Sequence, residues 1–246
     1  MPRYFFEIAY NGNSFHGWQR QPNAISVQQV IEETFSKLHS NQEISIVGCG
    51  RTDAGVHAKK YFFHIELPEI DNIEHLIFKL NRMFPKDIAV FNILKVSDEL
   101  HARFDAKKRT YRYFLHQQKD PFKDSLSLYF PQELNLKVMN DAAKLLLGTH
   151  DFGAFSKLHT DVKTNICEVY DAGWVTNNDS IYFEISANRF LRNMVRAIVG
   201  TLIDIGLNKL NQQDLISILA SKNRQEASIS VPAHGLYLWD VDYDQF

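Results

Sequence analysis

Long hydrophobic runs are missing from this chain of 246 residues. No segment offers the roughly 20 consecutive apolar residues that a membrane-spanning helix needs. The first ten residues carry Arg3 and Glu7 and lack the layout of a signal peptide, so the chain is expected to stay in the cytoplasm. Cysteine is scarce. Cys49 and Cys167 are the only two, too few for a disulfide framework, and no Cys-x-x-Cys pair suggests zinc. Both are expected as small buried or half-buried side chains. His57 and His64 flank a strand-like segment, but no carboxylate spacing around them resembles a metal site, so no metal is expected. A basic excess is also absent: 27 Lys and Arg face 29 Asp and Glu, for a net charge of -2. Nucleic-acid binding therefore has to rest on where positive charge sits rather than on its total.

Hydrophobic residues make up 45% of the chain and aromatic residues 13%, enough for a substantial core with much sheet. Strand and helix patterns alternate. Arg3–Tyr10 reads as a strand and Asn11–Ser14 as a turn. Ser26–Leu38 reads as a helix with Val27, Val30, Ile31, Thr34, Phe35 and Leu38 on one stripe, and Ser26 and Gln29 at capping-box spacing. Strands follow at Ile44–Val47 and Tyr61–Leu67, a helix at Ile73–Phe84 before Pro85, and a strand at Ile88–Val96, giving approximately βαββαβ. A second half starts near Ala106. It has a strand at Tyr111–His116 and a helix at Leu136–Leu147 ahead of Gly148. A hairpin follows over Ile166–Thr176 and Ile181–Ser186, turning at Asn177-Asn178-Asp179. Helices at Arg189–Ile205 and Asn211–Ala220 lead to a last strand at Leu236–Tyr243. The expected class is α+β. Two related halves, 1–105 and 106–246, share a mainly antiparallel central sheet flanked by helices, with a ligand cleft between the halves.

The segment richest in chemistry is Gly50-Arg51-Thr52-Asp53-Ala54-Gly55-Val56-His57-Ala58. It is a glycine-punctuated loop holding one carboxylate beside a cation and a hydroxyl, and Gly48, Gly50 and Gly55 let a bulky substrate come close. No Walker-type Gly-Lys-Ser/Thr follows, which weakens a phosphate-cradle reading. Most loops of Gly and Asp are only turns. Positive charge clusters twice, at Arg103, Lys107, Lys108, Arg109 and Arg112, and at Arg189, Arg192 and Arg196. The plain reading of such clusters is a pair of solvated faces. In the second cluster, Arg192 and Arg196 flank the apolar stripe of Leu191, Met194, Val195, Ile198, Val199, Leu202 and Ile203 at about 100° per residue. From there an arginine can lay its stem on the core and aim its head into a cleft.

The loop resembles the catalytic signature of the tRNA pseudouridine synthase A family, and the resemblance extends along nearly the whole chain. Tyr10-Asn11-Gly12 with Phe15-His16-Gly17-Trp18-Gln19-Arg20-Gln21 resembles the family's first block. His101-Ala102-Arg103-Phe104-Asp105-Ala106 with Arg109-Thr110-Tyr111-Arg112-Tyr113 resembles the middle one. His150-Asp151-Phe152 with Phe155, then Asn188–Arg196 with Gly200, then Gly235-Leu236-Tyr237-Leu238 follow in family order. Cys49, Lys59-Lys60-Tyr61-Phe62-Phe63 and Leu100 depart from the usual pattern.

The resemblance implies the pseudouridine synthase fold and the isomerisation of uridine to pseudouridine at positions 38, 39 and 40, in the anticodon stem-loop of tRNA. It implies Asp53 as nucleophile after base flipping, Arg196 as its ion-pair partner, and Tyr111 stacking on the base and relaying a proton. Tyr113 shares a strand face with Tyr111, and only family position chooses between them. Arg51 is implied to help extrude or replace the flipped nucleotide, with a loop-bracing role as the alternative. Arg103, Arg109 and Arg192 are expected to hold phosphates, which position RNA without reading its sequence. The reaction is redox-neutral, so no cofactor is expected. A homodimer is implied by resemblance only. Two other readings are a non-catalytic RNA-binding module, suggested by the paired halves, and a nucleoside hydrolase, which would need a second acid or base beside Asp53.

Overall fold

The computed structural model describes residues 1–157, 163–177 and 180–246. In chain order the first elements are β1 (Arg3–Tyr10), α1 (Val27–Leu38), β2 (Val47–Gly48), β3 (His57–Glu66), α2 (Ile73–Met83) and β4 (Ile88–Val96). Next come β5 (Lys108–His116), β6 (Leu128–Tyr129), α3 (Leu136–Ala143), β7 (Gly148–Asp151), β8 (Ile166–Asn177) and β9 (Ser180–Ala187). The chain closes with α4 (Met194–Gly206), α5 (Gln212–Ser221) and β10 (Leu236–Asp242). Contacts divide it into two compact units, Met1–Lys107 with Tyr237–Phe246, and Lys108–Leu236. The closing strand, which the sequence places with the second half, thus groups with the first. Tyr237 and Leu238 pair in parallel with His57 and Ala58, and the Tyr243 hydroxyl donates to the Ala102 carbonyl. No helix among the described residues is long and apolar enough to cross a membrane.

In the first unit β1 lies between β3 and β4, antiparallel to both. Alternate side chains of a strand point to opposite faces, and here both faces are covered. Phe6 meets Phe35 of α1 and stacks on Phe63, while Phe5 meets Tyr243 and Phe246. A buried phenylalanine is worth roughly 2–3 kcal/mol, so this strand anchors the unit. The unusual Tyr61-Phe62-Phe63 run has the same explanation: β3 is buried on both faces, and all three side chains are inside. The strand expected over Ile44–Val47 shrinks to Val47–Gly48, paired with Phe63 and His64. The strand expected from Tyr61 begins earlier, at His57, within the signature itself. At the start of α1, Ser26 accepts from the Gln29 amide, but the Gln29 side chain donates to Glu33, so the capping box is half made.

In the second unit β5 pairs with β9, β9 with β8, and β8 with β7, all antiparallel. Residues 178 and 179 of the expected hairpin turn lie outside the described residues. Helix α3 gives way to a 3-10 turn at Lys144–Leu146, and Gly148 takes φ +89. The Asn140 amide of α3 bonds both the N–H and the carbonyl of Trp174, tying helix to sheet. The helix expected from Arg189 starts only at Met194, because Asn193 sits at φ 68, a left-handed conformation that interrupts the helix. Arg192 is therefore off the helix, and the flanking position inferred for it from a helical wheel does not apply. Arg196 is on the helix.

Candidate active site

In the first unit the Gly50–Val56 loop leaves β2 and returns into β3, with Asp53 near its middle and half-buried. Its flanks are held closely. The Tyr61 hydroxyl donates to the Gly50 carbonyl. The Thr52 carbonyl accepts from the Trp18 N–H at 3.2 Å, and its hydroxyl lies 2.9 Å from the Tyr10 hydroxyl. The Val56 N–H closes a turn onto the Asp53 carbonyl at 3.1 Å, and the Gly55 N–H reaches the Phe15 carbonyl at 3.3 Å. Gly17, at φ +86, lies directly under the loop: a Cβ there would come within 2.4 Å of the Thr52 carbonyl oxygen. Gly12 is as tight against Val56, and its N–H donates to Nδ1 of buried His57, whose ring stacks on Tyr237. Within the first resemblance block, the part from Tyr10 to Trp18 is thus the floor on which the Asp53 loop rests. Sequence reading identified the block without finding this job; the signal was Gly12 and Gly17 at its centre. Arg51 projects to solvent beside Asp53. Arg103 is exposed, with its guanidinium over the Phe104 ring.

In the second unit Tyr111 and Tyr113 share a face of β5, and burial separates them. Tyr113 is fully buried and donates to the Pro232 carbonyl at 2.9 Å. Burial pushes its phenol well above the ordinary range, with the Arg196 charge opposing. Tyr111 is half-buried, edge-on to Phe190 at 5.0 Å between centroids. It keeps surface available for a base, whereas Tyr113 is a core residue. Arg109 donates to the Asn188 carbonyl at 3.1 Å. The same Asn188 takes the Glu168 N–H on its side chain and returns its own N–H to the Glu168 carbonyl, which pins the start of the 188–193 segment to β8. Arg192 lies exposed in that segment, its carbonyl held by the Lys157 N–H. Arg196 is half-buried, and its Nε donates to the Val231 carbonyl at 2.7 Å. Gly200, one turn on, admits the Ile229 backbone: a Cβ there would sit 2.1 Å from the Ile229 carbonyl oxygen. Val231 and Ile229 are contributors that sequence reading missed, since they lie outside every resemblance block.

Acidic partners hold Arg112 and Lys107 of the first basic cluster. Arg112 pairs with Glu184 and stacks on Tyr182 at 4.7 Å, and Lys107 pairs with Asp244 at 2.9 Å. The His150-Asp151-Phe152 block is structural: Phe152 and Phe155 are fully buried, and Asp151 accepts from the Gly153 N–H.

A family model described as tRNA pseudouridine synthase matches residues 142–244. The chain is 49% identical to the tRNA pseudouridine synthase A of Parabacteroides distasonis, over 100% of its own length and 97% of that protein. It is 48% identical to that of Porphyromonas gingivalis, with 99% and 98% covered. It is 40% identical to that of the more distant Bacillus subtilis, with 96% and 97% covered. At this identity over nearly the whole of each chain, the chain belongs to the tRNA pseudouridine synthase A family, isomerases that act on uridine in tRNA.

Proposed function

We propose that this enzyme forms pseudouridine in the anticodon stem-loop of tRNA, at positions 38, 39 and 40, with Asp53 as nucleophile. One observation carries the reading most: Asp53 stands half-exposed on a loop whose neighbours on both sides are hydrogen-bonded to a buried floor. A nucleophile needs that combination of access and fixed geometry. Pseudouridine formation breaks the N-glycosidic bond, turns the detached base, and rejoins it through carbon. A carboxylate that attacks ribose or base and later leaves divides this into easier steps. Asp53 attacks as the carboxylate, and the ion-pair partner that the family reading gives it is Arg196, whose Nε bond to Val231 holds the guanidinium plane. Tyr111 stacks on the extruded base. Arg51 offsets part of the few kcal/mol that unstacking costs. Arg103, Arg109 and Arg192 hold backbone phosphates. The family reading extends to a homodimer working in the cytoplasm.

The test is an assay on unmodified tRNA transcripts with chelator present, mapping every pseudouridine formed. The reading expects product in the anticodon arm and no free uracil. Product confined to another arm would overturn the site assignment, and released base without re-attachment would favour a hydrolase.

A further inference from the structure

The family reading gives the Tyr10–Trp18 block no role of its own, yet the block touches the Asp53 loop at several points. We propose that Tyr10 is a positioning residue for the reaction, acting through Thr52 to set the direction of the Asp53 carboxylate. The inference rests on Asp53 being the nucleophile.

The geometry begins in β1. Its register against β3 shifts by one residue between Ile8 and Tyr10, so that Ile8 faces Tyr61 while Tyr10 faces Ala58. Such irregularities re-aim side chains and are frequent beside active sites. The Tyr10 ring is then boxed by Trp18 and Tyr61, at 6.3 and 5.5 Å between centroids, and is 4% exposed. A ring in that box could be a phenylalanine; the hydroxyl is what needs explaining, because a buried polar atom is costly unless it is bonded. It bonds the Thr52 hydroxyl, itself buried. Thr52 is β-branched and has few rotamers, so fixing its oxygen restrains its Cα. Its carbonyl is fixed independently by the Trp18 N–H. The residue before Asp53 is thus held at two points, and the Asp53 carbonyl at a third, by Val56. With the backbone clamped on both sides, the carboxylate keeps few directions.

The experiment measures single-turnover pseudouridine formation at saturating enzyme, tRNA affinity, and thermal midpoints for Tyr10→Phe, Thr52→Val, Thr52→Ser, Asp53→Asn and the Tyr10→Phe/Thr52→Val double variant. Rates are taken well below each midpoint. Tyr10→Phe and Thr52→Val should each slow the reaction roughly tenfold or more, as small misplacements of a reacting group do. Affinity for tRNA should stay unchanged, and the double variant should be no slower than the slower single one. Thr52→Ser, which keeps the hydroxyl, should recover most of the rate lost in Thr52→Val. A wild-type rate for Tyr10→Phe beside an inactive Asp53→Asn overturns this proposal alone. A loss that appears only in affinity overturns it too. A wild-type rate for Asp53→Asn overturns the nucleophile reading and the proposal with it.

Discussion

Two tyrosines two residues apart on β5 show how much burial decides at the level of single side chains. Tyr113 fills the core and spends its hydroxyl on Pro232, while Tyr111 stays half-open beside Phe190. Tyr113→Phe should therefore cost about 1 kcal/mol of stability, the usual worth of one intramolecular hydrogen bond, read as a lower urea midpoint. Tyr111→Leu should instead depress the pseudouridylation rate by a much larger factor than it shifts that midpoint. Equal kinetic effects at both positions would contradict the assignment. Periodicity cannot make this choice, because both residues obey the same alternation; Tyr113 is buried where Pro232 and Gly235 lie against its ring. A second residue-scale effect concerns His64. It is buried, accepts the Ala102 N–H at Nδ1, and has its pKa lowered from 6.5 to about 4, first by burial and then by the Arg3 and His101 charges. Between those values the unfolded chain binds a proton that the folded chain refuses. Stability is therefore full above pH 6.5 and is lost as pH falls towards about 4. Urea midpoints compared at about pH 7 and pH 5 should drop on acidification, and less so in His64→Gln, which cannot titrate. An unchanged pH dependence in that variant would place the titration elsewhere.

Elements whose cause is local were legible in the sequence. The aromatic run of β1, the Ile88–Val96 strand and α5 follow from local propensity, and in α5 the structure adds a capping box of Asn211 and Asp214. Where the cause is a distant partner, the sequence was mute. The Asn193 backbone turns left-handed, and its side chain bonds Ser230, 37 positions away, so five residues with helical periodicity are drawn out of α4. The extension of β3 into the signature likewise depends on pairing of His57 and Ala58 with Tyr237 and Leu238. The same element logic predicts the outcome of Gly200→Ala. The added Cβ meets the Ile229 backbone rather than a flexible side chain, so the 228–232 loop must move and the Val231 carbonyl leaves Arg196. Overpacking of this kind costs about 1–3 kcal/mol, and the rate should fall with it. A calorimetric midpoint equal to wild type would mean the loop shifts at no cost, and the anchoring of Arg196 would lose its basis.

For the whole molecule, a net charge of -2 coexists with a tRNA substrate because what matters is which cations reach solvent, not their total. Arg112 is part-buried and paired with Glu184, whereas the side chains of Arg51, Arg103 and Arg192 reach solvent. Clustering in sequence treated these groups alike; only the structure sorts them. Titrating tRNA affinity against salt should show this. Arg103→Gln and Arg192→Gln should each reduce the slope of log affinity against log salt by about 1, and Arg112→Gln should leave it unchanged. Resemblance blocks single out Asp53, Tyr111 and Arg196 as candidates, whereas the supports around them, Tyr10 with Thr52 and Val231 with Arg196, were not legible because the partners lie tens of residues apart. The central claim concerns Asp53, and the most direct measurement is single-turnover pseudouridine formation by Asp53→Asn on an unmodified tRNA transcript, with tRNA binding measured on the same preparation. Asparagine keeps the shape and removes the charge. The account predicts wild-type binding and no pseudouridine; a variant that still forms pseudouridine at the wild-type rate would contradict it.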